Sequence, residues 1–527
     1  MRLRDFADVY FPFQTKRVLR FTWIYIILVS WCLPLLANDD VQQLEVKDSK
    51  QVVKQAEKLT RKGSFLEAEK LLRSLIAQDS ANTKAKVVLG YVLLKQKRLD
   101  EAYALSFEVA KAEPKNARAF ALVGMVLLSF GNFKDAKTIL YSAWKINPNE
   151  PMAWAGAGML DFYENRIDEG VEKLETAAYL DPNDPDFVFA LAQVYARAEK
   201  YKEAAEAYNR FLSISPTSDT DRRNRIKGLI NFLRYLGNKQ ELYKVDNNVR
   251  QTTLAVKLLR DRPILEIGVN GKNEKLRFVL DTGSGISVIS DETAKRLNIK
   301  PVSKGAMARA VGGNGKFEIV YGFLKTVELG EVRVRNVPVY IRKFHDESEK
   351  VDGYIGLSLI SKFLTTMDYG NSTFILTKKD KNALENFEKE AVALPLRLTS
   401  SGFLSGEVQL PGIETPLNFI VDTGASISVI SSDLASTDQM SQFSIDEKMR
   451  VVGAAGVTEN VSSYMIPKVS FGSHTRESVK AIALDLDIIN EASGFEQAGI
   501  LGGNFLKNYR LTFDFQNSKV TFVPVRK

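Results

Sequence analysis

The stretch Leu276-Arg277-Phe278-Val279-Leu280-Asp281-Thr282-Gly283-Ser284 returns 141 residues later as Leu417-Asn418-Phe419-Ile420-Val421-Asp422-Thr423-Gly424-Ala425. In each copy an apolar run ends in Asp-Thr-Gly. The residues beyond, Ile286-Ser287-Val288-Ile289-Ser290 and Ile427-Ser428-Val429-Ile430-Ser431, agree letter for letter. A constant offset over this window marks a duplicated unit and supplies two equivalent carboxylates, Asp281 and Asp422. An apolar strand ending in Asp delivers its carboxylate to the base of a cleft. The Thr hydroxyl can brace the turn, and Gly lets backbone approach a partner closely, so Thr282, Gly283, Thr423 and Gly424 read as support for the pair.

The duplication extends further. Ala310-Val311-Gly312-Gly313-Asn314-Gly315 corresponds to Val451-Val452-Gly453-Ala454-Ala455-Gly456, and both read as hairpin tips, where Gly supplies positive φ. Tyr354-Ile355-Gly356, Asp368-Tyr369 and Asn371-Ser372 align with Ile500-Leu501-Gly502, Asp514-Phe515 and Asn517-Ser518. Each copy therefore closes in a short β-hairpin turning at Asn-Ser, with Asp368 and Asp514 placed for structural hydrogen bonds. By Gly356 and Gly502 the offset has grown to 146, so the later segment of the second copy carries five extra residues.

Apolar strand, Asp-Thr-Gly-Ser/Ala, Gly-rich hairpin, then apolar-apolar-Gly resembles the retropepsin family of aspartic peptidases. The resemblance covers about half the sequence. It implies two β-rich lobes, each donating one aspartate to a site on a two-fold axis, with Asp281 and Asp422 as the catalytic pair. Gly312, Gly313 and Gly453 would then lie in flaps, the alternative being ordinary exposed hairpins. Two carboxylates within a few ångströms share a proton and titrate as a unit. One member can take a proton from water while the other polarises the scissile carbonyl. That chemistry needs neither metal nor cofactor. Ser284 has Ala425 as its counterpart, which rules out a Ser nucleophile duplicated with the unit.

Other chemistries lack their parts. The two histidines, His345 and His474, sit in polar, loop-like contexts outside any metal-ligand spacing and read as surface residues. The single cysteine, Cys32, lies in an apolar segment, which excludes a disulfide framework. The glycine-rich stretch Val311 to Gly315 has no lysine and no helix for a phosphate cradle. A net charge of +8 over 527 residues, without basic clusters interleaved with aromatics, argues against a nucleic-acid partner.

Phe21 to Ala37 is seventeen residues without a charge, preceded by Arg2, Arg4, Lys16, Arg17 and Arg20. Residues 1–37 are expected to be a cleavable signal or an uncleaved anchor with a cytoplasmic N-terminus. The rest would be exported, to a periplasmic or other extracytoplasmic space, either soluble after cleavage or membrane-attached through this segment.

A second periodicity, of 34 residues, runs through Pro114, Pro148, Pro182 and Pro216. Ala102, Ala136, Gly170 and Ala204 follow it, as do Gly90, Gly124, Gly158 and Ala192. This resembles the tetratricopeptide repeat, whose small residues sit where two helices cross and whose Pro ends the second helix. Ala56 and Ala68 supply an earlier, less regular copy, and Arg222 to Asn248 reads as a capping helix pair. The resemblance implies an all-α superhelix of five repeats whose concave face can hold a peptide or protein partner.

The expected architecture is multidomain, the tetratricopeptide (TPR) superhelix followed by two all-β, retropepsin-like acid-protease lobes. Its parts are a linker at 38–51, the array at 52–250, lobe one at 262–377, a charged connector at 378–390 and lobe two at 391–525. The function implied is an exported or membrane-anchored aspartic endopeptidase acting on a polypeptide substrate recruited by the array. The rival is a non-catalytic peptide-binding scaffold. Intramolecular lobe pairing is expected, with pairing between molecules as the alternative, and the array is expected to form its own core and to be dispensable for cleavage of short peptides.

Overall fold

The computed structural model describes residues 49–239, 241–246, 249–313, 315–345 and 350–525. The expected signal or anchor at 1–37, with Cys32, and most of the linker lie outside them. No helix among the described residues is long and apolar enough to cross a membrane.

Eleven helices open the described region: α1 (Ser49–Arg61), α2 (Phe65–Gln78), α3 (Thr83–Lys95), α4 (Leu99–Ala112), α5 (Ala117–Ser129), α6 (Phe133–Ile146), α7 (Pro151–Tyr163), α8 (Ile167–Leu180), α9 (Pro185–Arg197), α10 (Tyr201–Ile214) and α11 (Thr220–Gly237). The small residues of the 34-residue period are buried where paired helices cross. A Cβ on Gly124 would lie 2.6 Å from Leu140, and one on Gly158 would lie 2.8 Å from Leu174. The turns inside the repeats share one geometry, with Gly63, Lys97, Gly131, Asn165 and Glu199 all at positive φ. The next amide reaches back to the helix, as in Arg98 N–H to Leu93 O (2.9 Å) and Arg166 N–H to Asp161 O (2.8 Å). These are Schellman-type ends that satisfy otherwise unpaired carbonyls. The capping pair is a single helix, α11. Beyond it the backbone leaves the array, and Lys244–Val245 pairs with Val334 and Arg335 of the first lobe.

Each lobe is a closed barrel. In the first, strands Arg262–Val269, Lys275–Leu280, Gly353–Ile355, Val288–Ser290, Val332–Arg342 and Lys316–Leu329 pair in that order, and Glu328 returns to Gly268. In the second the order is Leu404–Gln409, Leu417–Val421, Gly499–Leu501, Ser428–Ser431, His474–Leu484 and Gly456–Phe471, closed by Phe471 against Val408. Closure removes free sheet edges. A third, six-stranded sheet joins the lobes: the terminal hairpins Phe363–Asp368/Thr373–Lys378 and Tyr509–Asp514/Lys519–Pro524 lie side by side, flanked by Gln251–Ala255 and Leu394–Pro395. At its centre Thr366 faces Thr512, their hydroxyls 2.9 Å apart. The Asn-Ser turns are held as anticipated, with the Asn371 amides donating to Asp368 and the Asn517 side chain to Asp514. Lys381–Glu390 in the connector is a helix whose N-cap, Asp380, accepts from Ala383 N–H.

The array does not stand apart from the lobes. Asn165 donates to the carbonyls of Phe515 (2.8 Å) and Gln516 (3.0 Å), and Glu496 N–H donates to Ser129 O (2.9 Å). Phe495 packs edge-on against Phe133 and Tyr163. On α11, Phe232 stacks on Tyr321 at 4.4 Å, and the Gly228 carbonyl accepts from Ser303. One apolar core runs from the first repeats into both barrels. The expectation that the array forms a core of its own is therefore overturned, because repeat turns and α11 bury side chains against the lobes.

Candidate active site

Both aspartates come from one molecule and are placed by matching strands. Asp281 N–H donates to Ile355 O (3.0 Å), and Asp422 N–H to Leu501 O (3.1 Å). Each Asp is fixed by the Gly two residues on: Gly283 N–H donates to Asp281 Oδ1 at 3.0 Å and Gly424 N–H to Asp422 Oδ1 at 2.7 Å. The threonines cross the lobe boundary. Thr282 Oγ1 donates to Val421 O and Thr423 Oγ1 to Leu280 O, both at 2.6 Å. Each hydroxyl also accepts the other threonine's N–H, at 3.0 and 3.2 Å. Glycine is required beside them because a Cβ on Gly283 would sit 2.5 Å from Asp422 Cγ, and one on Gly424 would sit 2.7 Å from Asp281 Oδ1.

The carboxyls lie at the floor of a cleft of about 1390 Å³. Burial raises the Asp281 pKa well above the carboxylate range, and the neighbouring Asp422 charge pushes it further. Asp422 is also raised by burial, against opposing hydrogen bonds from Gly424, Asp281, Gly283 and Ala425. Two neighbouring buried carboxyls with both values raised form an arrangement in which a proton can be shared.

Above the pair, the hairpin tips from the two lobes meet. Gly312 and Gly313 have φ of 98° and 54°. Ala455 N–H donates to Val311 O at 3.1 Å, and a Cβ on Gly453 would lie 2.0 Å from that same carbonyl. The tips line the same cleft as the aspartates, so Gly312, Gly313 and Gly453 sit where backbones cross rather than in isolated exposed turns.

Several contributors escaped sequence reasoning. Ser287 and Ser428 were visible only as repeated letters; their hydroxyls accept the N–H of Gly356 and Gly502, each at 3.1 Å, and so tie together the strands behind the aspartates. Arg342, the last residue of the first-lobe strand Val332–Arg342, donates to Ala454 O of the opposite hairpin at 3.2 Å. Residues of α9 to α11 form one wall of the cleft, and no local pattern predicts that. His345 also lines the cleft, and His474 is not a free surface residue but stacks on Phe522 at 5.3 Å. Among the described residues no cluster of His, Cys, Asp and Glu could hold a metal.

Comparison with known families matches the sequence to an aspartyl protease family over residues 265–359 and 407–505, and to tetratricopeptide repeats over 59–126 and 156–219. The protein has two tandem aspartyl protease domains. The strands bearing Asp281 and Asp422 lie within those two domains, and the helices before them are tetratricopeptide repeats. Solved structures similar to the array include a tetratricopeptide protein of Thermus thermophilus, with 19% identity over 33% of this chain and 95% of that one, TM-score 0.29. Others are MamA from Desulfovibrio magneticus, with 22% identity over 32% and 94%, TM-score 0.23, and YrrB, described as having an unusual peptide-binding site, with 23% identity over 33% and 88%, TM-score 0.22. No curated protein matches the sequence.

Proposed function

We propose that the protein is an aspartic endopeptidase in which Asp281 and Asp422 act as one catalytic pair. The observation that carries this reading is the reciprocal threonine clamp, which presses two half-buried carboxyls from opposite lobes together at the floor of a cleft large enough for a peptide. The ionised member removes a proton from a water as its oxygen bonds to the scissile carbonyl carbon, and the protonated member passes its proton to the carbonyl oxygen. The resulting tetrahedral diol collapses when one hydroxyl proton returns to the pair and the leaving nitrogen is protonated, so the C–N bond breaks and the shared proton is restored. Thr282, Gly283, Thr423 and Gly424 hold the carboxyls in place, and the hairpin tips around Gly312, Gly313 and Gly453 act as flaps that exclude bulk water.

On the same reading, the array brings a polypeptide substrate or protein partner to the cleft, and Phe21 to Ala37 directs export, either as a cleaved signal or as a membrane anchor. Digestion of a peptide library by the protein from Asn38 onward, with the Asp281→Asn/Asp422→Asn double variant as control, is the deciding experiment. Cleavage by the first and none by the second is expected. Tight peptide binding without cleavage by the unaltered protein would instead favour a scaffold.

A further inference from the structure

The lining of the cleft as a whole is cationic. Eight lysine and arginine side chains line the cleft, Arg197, Arg225, Arg260, Arg262 and Arg342 among them, against Glu199 and the aspartate pair. Several already have work within the fold. Arg342 lies over the rings of Phe344 and Tyr354 as well as donating to Ala454, and Lys379 is paired with Asp514 at 2.9 Å.

Arg197 differs. It is the last residue of α9, half-buried in the cleft wall, and makes no hydrogen bond or ion pair among the described residues. Glu199, Tyr201 and Tyr243 influence it only through space, and its burial weakens its hold on the proton. A guanidinium drawn out of water without an anion is uncompensated, and its planar fork matches a carboxylate. Its place in the cleft follows from contacts. Tyr243, beside it, is turned toward Ser358, whose hydroxyl donates to Gly285 O at 2.7 Å. Gly285 follows Asp281 by four residues and lines the same cleft. Arg197 thus lies near Tyr243 and lines the same cleft as the aspartates.

We propose that Arg197 recognises a carboxylate of the substrate, so that the repeat array supplies a specificity residue to the cleft and peptides that present a carboxylate to it are preferred. The carboxylate is either a peptide C-terminus or a Glu or Asp side chain. This rests on the reading of the cleft as a peptide site, and on its catalytic reading only for the kinetic measurement.

Three fluorogenic peptide sets are compared: one with acidic side chains and an amidated C-terminus, one neutral with a free C-terminus, and one neutral and amidated. The full-length protein should show a lower KM for one of the first two sets, which identifies the carboxylate source. Arg197→Gln should reduce that preference about tenfold, chiefly through KM, the size expected for a lost charge-assisted contact. Arg197→Lys should recover part of it, and thermal unfolding of both variants checks that the fold is retained. Cleavage without any preference for carboxylates, or a preference unchanged in a folded Arg197→Gln, overturns the proposal and leaves the peptidase reading standing. Fluorescence anisotropy with the Asp281→Asn/Asp422→Asn variant separates the two claims: Arg197-dependent binding of carboxylate-bearing peptides by a protein whose unaltered form cleaves nothing would sustain the proposal and remove the peptidase.

Discussion

Thr282 and Thr423 hold each other across the lobe boundary, each hydroxyl donating 2.6 Å to a carbonyl of the opposite lobe and accepting the other's backbone N–H. Both are buried, at 1% and 0% exposure, so water cannot substitute for a lost bond. Thr282→Val should therefore leave the Val421 carbonyl unsatisfied and lower stability by about 1–3 kcal/mol. Thr282→Ser should stay near the original value. Denaturant unfolding of Thr282→Val, Thr423→Val and the double variant measures the coupling, and additive losses would contradict a shared network.

Asp281→Asn and Asp422→Asn should each reduce turnover by about 100-fold or more, the scale of general acid-base catalysis. Stability should move the other way. Burial raises the Asp281 pKa in the folded state above its unfolded value. Below about pH 4 both states are protonated and the group contributes nothing. As pH rises toward the folded pKa the unfolded state ionises first and stability is lost. Asp281→Asn should thus match the unaltered protein in Tm at low pH and exceed it at neutral pH. A Tm difference independent of pH would argue against the shared proton.

Asn165→Ala removes two hydrogen bonds from a repeat turn to the second lobe and places Ala at φ of 61°. Asn165→Gly removes the bonds without the conformational cost. Both should destabilise the lobes, the Ala variant by about 1 kcal/mol more. Deletion of 49–239 should go further and abolish cleavage of even short peptides, because the common core is exposed. Circular dichroism and a short-peptide assay on the truncated protein provide the check, and a folded, active truncation would restore the independent-array expectation.

Mixing separately purified Asp281→Asn and Asp422→Asn proteins should return no activity. The joining sheet, with Thr366 opposite Thr512 in one molecule, makes both halves of the site from the same polypeptide. Recovery of a substantial part of the unaltered rate in the mixture would mean that lobes exchange between molecules.

Gly312→Ala should slow turnover more than it lowers Tm. The added Cβ would lie 2.2 Å from Gly456 O at a φ of 98°, so the hairpin tips could no longer meet as they do here. Steady-state kinetics beside thermal unfolding separates the two effects, and wild-type kcat would remove any role for the tip.

What the sequence by itself determined is whatever depends on short-range periodicity. The offset of 141 exposed the paired Asp-Thr-Gly turns, and the period of 34 exposed the helix crossings at Gly124 and Gly158. The Asn371-Ser372 and Asn517-Ser518 hairpins were equally local, since a turn is set by a few adjacent residues. Only the tertiary structure decided what meets across long separations. Lys244–Val245 joins a barrel because its edge finds Val334 and Arg335 there, whereas the run before it is helical. Asn165 reaches Phe515 across 350 residues, and Arg197 enters a cleft whose aspartates belong to other domains. Such contacts are fixed by how complementary surfaces pack rather than by any repeat in the sequence, so no periodicity announces them.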